Sequence, residues 1–490
     1  MKIKLISAAA LVAMSGSTFA LDPTTATAAG TAKVYAAGAT ALRAVVGGLF
    51  TQNCEAATLD VYYSAVNANF PGDTAAGDSH RVYSCTLKSE LTLDPEFQGK
   101  GLGGKNVTFY KVDRGGSAQG VQPLASPVNV GTALPVLNLL DCGARAATVP
   151  NYTCNTTSAA QVPLLGVSDV EPTMFVGENV PAGFNAGGLS AAELATLTVT
   201  PVVQTVFGVA VNTRLRDALQ TAQGLVVGDN TDANRPSIPR AVAGSIFRGE
   251  LSDPANGLGW HALGVANPDK QVNVGRRVAG SGTQAAANMY FGAYPCGPNA
   301  KVPATNASFP SSSGGNSNAG PFTGTGLYVY EGSTTGNVTG FLTNAQADAN
   351  APYAIGHVSL ENAETANWKH VRVDGVLPSR ANATAGRYDY VVESTFQYVT
   401  SKVNALKASP VATNNVVGNF IEAFVASSGL PKNLAALSTA NQSGVAALPD
   451  VGAFNPLANQ TNLVGAGDLT RFHSRMTRGG NSCSPWSVAQ

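Results

Sequence analysis

The strongest constraint on this chain is a repeated order: a short apolar strand, a turn of small residues, then one buried face of a helix. Ala32 to Ala36 reads as a strand and Ala37-Gly38-Ala39-Thr40 as the turn. Leu42, Val45, Val46, Leu49 and Phe50 follow at i, i+3, i+4, i+7 and i+8, the spacing of one helix face. The order returns with Gln271 to Val278, then Gly280-Ser281-Gly282-Thr283, then the helix-prone run Gln284 to Phe291. Lys105 to Val112, Leu164 to Val167, Pro201 to Val211 and Tyr353 to Leu360 read as further strands. Helices are expected after Asn212, with Leu215 and Leu219 inward and Gly224 as the stop, and over Ile238 to Phe247, closed by Gly249. Val416, Val417, Phe420, Ile421, Phe424 and Val425 mark a late amphipathic helix. Alternating strands and helices predict an α/β fold with mainly parallel sheets. Residues 297–350 are rich in Gly, Ser, Asn and Thr without periodicity, and read as a long polar insertion or loop.

A length of 490 residues allows two or three compact units at roughly 100–200 residues each. The 44% hydrophobic content can build their cores. Thirty basic residues balance thirty acidic ones, so the basic excess of a nucleic-acid binder or a polybasic membrane-surface protein is missing. Lys2 and Lys4, the apolar run Leu5 to Met14, and small residues at Ser17, Thr18 and Ala20 read as a signal peptide over 1–20. No later apolar run approaches the ~18 residues of a membrane helix. The mature chain is therefore expected to be soluble and exported, either periplasmic or secreted.

Six cysteines in an oxidising compartment imply disulfides, with 15 possible connectivities. Pairing neighbours gives Cys54–Cys85, Cys142–Cys154 and Cys296–Cys483, the last tying the C-terminal tail to a long loop. There is no CxxC and no clustered histidine, so neither a metal nor another cofactor is expected.

The two small-residue turns have the chemistry of anion sites. A helix start presents backbone N–H groups without an internal partner, and the helix dipole adds positive potential there. The plainer alternative for each is an ordinary tight turn. Arg276 and Arg277 precede the second turn, and a guanidinium can clamp an oxyanion with two parallel hydrogen bonds; otherwise they are a surface pair of little energetic weight. Ser168-Asp169 ends another strand, where the carboxylate can accept from a proton-bearing anion or serve as a cap or Asx-turn.

In this order the motifs resemble periplasmic phosphate-binding proteins of ABC importers and the wider family of phosphate-binding-like, two-lobed solute receptors. The matching pieces are Tyr35-Ala36-Ala37-Gly38-Ala39-Thr40, Gly115-Gly116-Ser117-Ala118-Gln119-Gly120, and Gly166-Val167-Ser168-Asp169. They continue with Ser245-Ile246-Phe247-Arg248-Gly249-Glu250 followed by Trp260, then Arg277-Val278-Ala279-Gly280-Ser281-Gly282-Thr283. Ala354-Ile355-Gly356-His357-Val358 and Val373-Asp374-Gly375-Val376-Leu377-Pro378 complete the set, which spans about 32–400. The family's aspartate two places after the arginine is Ala279 here.

The resemblance implies a two-lobed periplasmic-binding-protein-like type II fold, each lobe a mainly parallel sheet flanked by helices, joined by a two-strand hinge. Lobe one would take 32–203 and 390–490, and lobe two 204–389. Helices near 392–407 and 414–427 would pack back on lobe one. The implied ligand is inorganic phosphate or a related oxyanion, with an ABC permease as the possible partner. Ala39 and Thr40 would offer a backbone N–H and a hydroxyl, Ser117 a further contact, Asp169 an acceptor for a protonated oxygen, and Arg277 the charged fork. Ser281, Gly282 and Thr283 would close the site from the other lobe.

An interaction protein of the same fold, without phosphate binding, is the alternative that the long polar stretches favour. An enzyme is disfavoured. No G-x-S-x-G elbow or phosphate loop is present, and the five histidines are scattered. Gly280-Ser281-Gly282-Thr283-Gln284-Ala285 mimics a dinucleotide fingerprint, but 297–320 contains no acidic residue for a ribose.

Overall fold

A computed structural model describes residues 20–126, 133–250, 259–265, 271–305, 311–314, 320, 322–324, 326–437, 444–448, 474 and 476–488. The signal-peptide reading over 1–20 lies outside the described residues, Ala20 apart. In chain order the strands that position the site are β1 (Ala32–Gly38), β2 (Asp60–Ser64), β3 (His80–Thr86), β4 (Asn106–Val112), β5 (Tyr152–Cys154) and β6 (Leu165–Ser168). They continue with β7 (Leu197–Asn212), β8 (Val272–Arg277), β9 (Ser311–Gly314), β10 (Leu327–Gly332), β11 (Tyr353–Ser359), β12 (Val391–Val399) and β13 (Val445–Ala447). The helices are α1 (Arg43–Gln52), α2 (Thr213–Ala222), α3 (Arg240–Arg248), α4 (Gly282–Gly292), α5 (Thr335–Ala347), α6 (Thr400–Lys407) and α7 (Ala412–Ser428).

The fold is mixed α/β. One large sheet runs β9-β10-β8-β11-β7-β12-β6-β1-β4-β3-β2-β5, with helices packed on it. It has two portions, each with a parallel core: β6-β1-β4 in the first and β9-β10-β8-β11 in the second. The long strand β7 belongs to both. Its residues Leu197 to Val206 pair antiparallel with β12, and Phe207 to Val211 pair antiparallel with β11. The chain returns beside it, where the Phe207 amide donates to the Tyr390 carbonyl and Val391 stands opposite Val206. β7 is rich in β-branched residues, which suits a buried strand. Pro201 falls at a register shift in the β7–β12 ladder, a place where a missing N–H is tolerated.

The helix face expected over Leu42 to Phe50 is buried against α7. Phe50, Phe97, Phe109 and Phe424 surround Phe420 with ring centroids 5.6–6.3 Å apart. A Cβ on Gly47 of α1 would sit 2.3 Å from the Tyr83 hydroxyl, so only glycine lets the helix lie this close to β3. All three neighbour disulfides are present, Cys54–Cys85, Cys142–Cys154 and Cys296–Cys483.

Three readings of the chain need correction. Residues 297–350 are not simply a loop, since they contain β10 and the thirteen-residue α5. The apolar side of α5, Val338, Phe341, Leu342 and Ala345, is diluted by Gly, Thr and Asn, which hid its periodicity. The helix placed over 392–407 begins only at Thr400. Its first part is β12, whose Val391-Val392-Glu393-Ser394-Thr395-Phe396 run is buried between β7 and β6. Ile238 belongs to a two-residue strand, and α3 starts at Arg240 after Pro239.

Candidate functional site

The loops that follow β1, β4, β6, β8 and β10 meet where the two sheet portions face each other. Strand β8 ends in Arg277, which is 1% exposed. Its Nε donates to the Gly332 carbonyl at 3.1 Å and its Nη2 to the Ser333 carbonyl at 2.9 Å, both at the end of β10. Its Nη1 donates to the Thr335 hydroxyl at 2.9 Å and across to the Thr40 hydroxyl at 3.2 Å. Carbonyls and hydroxyls thus aim the guanidinium. Burial pushes its pKa down to about 10, against the opposing charge of Asp169.

After Arg277 the chain turns at Gly280 and enters α4. Ser281 is the N-cap, and its hydroxyl accepts from the Gln284 amide at 3.3 Å. Gly282 and Thr283 are the first helical residues, whose N–H groups have no partner inside the helix. The Thr283 hydroxyl donates to Asp169 Oδ2 at 3.2 Å. The second oxygen of Asp169, Oδ1, is buried and has no hydrogen-bond partner among the described residues. Burial raises this carboxyl to about 6, with the Arg277 charge offsetting part of the shift.

Ser117 stands on the first portion, and its hydroxyl accepts from the Asp169 amide at 3.0 Å, fixing the carboxylate's backbone. The Gly115–Ala118 loop passes against the α4 start, where the Ala118 amide donates to the Gly280 carbonyl at 2.9 Å. Gly116 has φ 69°, and a Cβ there would lie 2.8 Å from Gly280 O. A Cβ on Gly282 would lie 2.3 Å from Ser117 Oγ and 2.7 Å from Asp169 Cβ.

The residues singled out in the sequence therefore gather at one place, with one correction. The Ala39 amide is spent on the Val167 carbonyl at 2.8 Å, a contact that holds β1 against β6, so it has no free N–H to offer. Arg277 and Asp169 are electrostatically coupled without a direct hydrogen bond. Arg276 points away, its Nη1 donating to the carbonyls of Pro303 and Ala304 at 3.0 and 2.7 Å. It is buried, not the surface arginine of the plainer reading.

Two features went unread in the sequence. Thr335 opens α5 behind the capping box of Thr334 and Asn337. The run Gly332-Ser333-Thr334-Thr335 repeats the small-residue turn between strand and helix, and could have been found by that grammar. Lys111 and Asp113 form a fully buried ion pair at 2.5 Å beneath the first turn, and the Lys111 ammonium also donates to the carbonyls of Gly38 and Ala39. Further out, Asn337 Nδ2 donates to the Gly72 carbonyl at 2.8 Å, joining α5 to the loop after β2. A cavity of about 620 Å³ lies elsewhere, by Arg240, Arg248 and Tyr290, where Arg248 and Lys301 both pair with Glu250.

No family model matches the chain, and no curated protein does. Solved structures with a similar chain course include a protein from Clostridium perfringens described as a phosphate ABC transporter substrate-binding protein, with phosphate bound. It is 15% identical, at a TM-score of 0.30 over 53% of this chain and 73% of that one. An ABC-type phosphate transport receptor from Vibrio cholerae is 12% identical, at a TM-score of 0.29 over 54% of this chain and 79% of that one. Similarity at this level leaves the site geometry to speak for the ligand. Among the described residues no helix is long and apolar enough to cross a membrane.

Proposed function

We propose that this chain is an exported solute-binding protein that holds a phosphate-like oxyanion between two lobes, 32–203 with 390–490 and 204–389. The observation that carries the reading is the unpartnered, buried Oδ1 of Asp169 beside the start of α4 and the coupled Arg277. A carboxylate there accepts a hydrogen bond from a protonated oxyanion. Arg277, the N–H groups of Gly282 and Thr283, and the hydroxyls of Thr40, Ser117 and Thr335 supply the donors, while the Thr283 hydroxyl is spent on Asp169 Oδ2. Ser281 acts mainly as the cap that orients the helix start. The lobes would rotate about β7 and the return into β12 to admit the ligand, and an ABC permease would be the downstream partner. No catalytic step is assigned.

Calorimetric titration of the mature protein with phosphate and sulfate tests this. Saturable phosphate binding that is lost in both Arg277→Ala and Asp169→Ala supports it. Sulfate carries no proton at neutral pH and is expected to bind more weakly, because ionised Asp169 repels it. No heat and no thermal stabilisation at millimolar phosphate would overturn the reading.

One observation favours the interaction-protein alternative. Apolar residues of the first portion, Ala118, Val121, Val170 and Phe175, share one core cluster with Val274, Ala285 and Phe291 of the second. A joint core favours lobes that stay together. The same titration separates the two readings.

A further inference from the structure

The last described stretch of chain, 476–488, is attached to both sheet portions at once. On the first portion two buried carboxylates hold it. Glu393 of β12 accepts from the Thr477 hydroxyl at 2.6 Å and from the Arg478 and Gly480 amides at 2.9 and 2.5 Å. Glu171, two residues beyond Asp169, accepts from the Ser482 amide at 2.7 Å and from its hydroxyl at 2.6 Å. Glu393 is 2% exposed and Glu171 5%, so freeing either would leave a buried acceptor bare.

On the second portion the attachment is covalent. Cys483 is bonded to Cys296, just past the C-terminal end of α4. Arg478 Nη1 also lies 3.2 Å from Met289 Sδ on that helix. The opposite end of α4 is the candidate site, where Gly282 and Thr283 meet Ser117 and Asp169.

We propose that residues 476–488 are a strap that holds the two portions together across the cleft, and that Cys296–Cys483 limits how far the cleft opens. Ser482 is fixed to Glu171 on one portion, and its neighbour Cys483 is fixed to α4 on the other. Adjacent Cα atoms are only ~3.8 Å apart, so the tail has no slack between its two anchors. A rotation that lifts α4 from Asp169 also carries Cys296 away from Glu171. It must then break the Ser482–Glu171 hydrogen bonds or distort the tail. The direction of motion rests on the two-lobed reading above, whereas the strap requires no ligand.

The test is hydrogen exchange on the full mature chain in phosphate-free buffer, read at the amides of 117–120 and 282–284. In the Cys296→Ser/Cys483→Ser double variant these amides should exchange about tenfold faster than in wild type, because the cleft opens more often. Unchanged exchange there in a double variant that keeps its near-UV circular dichroism overturns the strap. If the double variant does not fold, Ser482→Ala decides. It keeps the disulfide and removes one bond to Glu171, and should raise exchange at the same amides about threefold; no rise overturns the proposal. Absence of phosphate binding in calorimetry would sink the oxyanion reading and leave this measurement standing.

Discussion

Thr40 and Arg277 are 237 residues apart in sequence, yet their side chains meet, Nη1 to Oγ1 at 3.2 Å. Thr40 follows β1 on the first sheet portion and Arg277 ends β8 on the second. The contact therefore exists only when the two portions face each other. Arg277→Ala removes it together with the charge, and should weaken phosphate binding by about 2–5 kcal/mol, the range for truncating a buried, hydrogen-bonded charge. Calorimetry on the folded variant checks this.

Asp169 makes stability depend on pH in a direction opposite to most carboxylates. Its native value is raised to about 6 by burial, with Arg277 and Lys111 drawing it down and Asp113 pushing it up. Between about pH 4 and pH 6 the native chain keeps a proton that the unfolded chain has lost, so stability falls as pH rises through that window. The expected loss is up to about 3 kcal/mol and levels off above it. Urea unfolding of wild type and Asp169→Asn at several pH values should show the variant gaining on wild type as pH rises. A gap that is flat or narrows in the other direction would contradict a buried, protonatable Asp169.

Gly282→Ala tests the closeness of the two portions. The new methyl would collide with Ser117 Oγ and the Asp169 side chain. Overpacking of this kind costs about 1–3 kcal/mol. The variant should melt earlier and lose oxyanion binding, which thermal denaturation and titration would show together.

Phe420→Ala should separate core from site. Phe420 of α7 is fully buried among Phe50, Phe97, Phe109 and Phe424, with no polar group to offer the candidate site. Its loss should cost about 3–5 kcal/mol in unfolding free energy. Phosphate affinity, measured below the melting transition, should stay within about twofold.

The sequence was most legible where a local period met local punctuation. The strand–turn–helix units at 32–50 and 271–291 could be read directly, because each depends on residues close in the chain; Cys296–Cys483 spans 187 residues and followed only from pairing the cysteines in order. Arg277, Asp169, Ser117 and Thr283 were found through motif order. What their order could not convey was occupancy. The Ala39 amide was already taken by Val167, a partner 128 positions away that only strand pairing brings near. Thr335 and α5 were missed because Gly336 and Gly340 interrupt an apolar face of only a few residues. The helix misplaced over 392–399 is a strand because the long β7 pairs along all of it and the short β6 pairs with Thr395 to Gln397 on the other side, a tertiary decision that overrides any local preference.

β12 sits between β7 and β6 in the middle of the large sheet, though it comes nearly 400 residues into the chain. During synthesis the strands from β1 to β7 emerge long before it. Until Val391–Val399 arrives, β6 and half of β7 present unpaired backbone edges, which are templates for wrong pairing. The contiguous second portion can assemble in that interval. The N-terminal residues therefore wait longest for their final neighbour, and a chain cut short before 391 should aggregate rather than yield a stable first half.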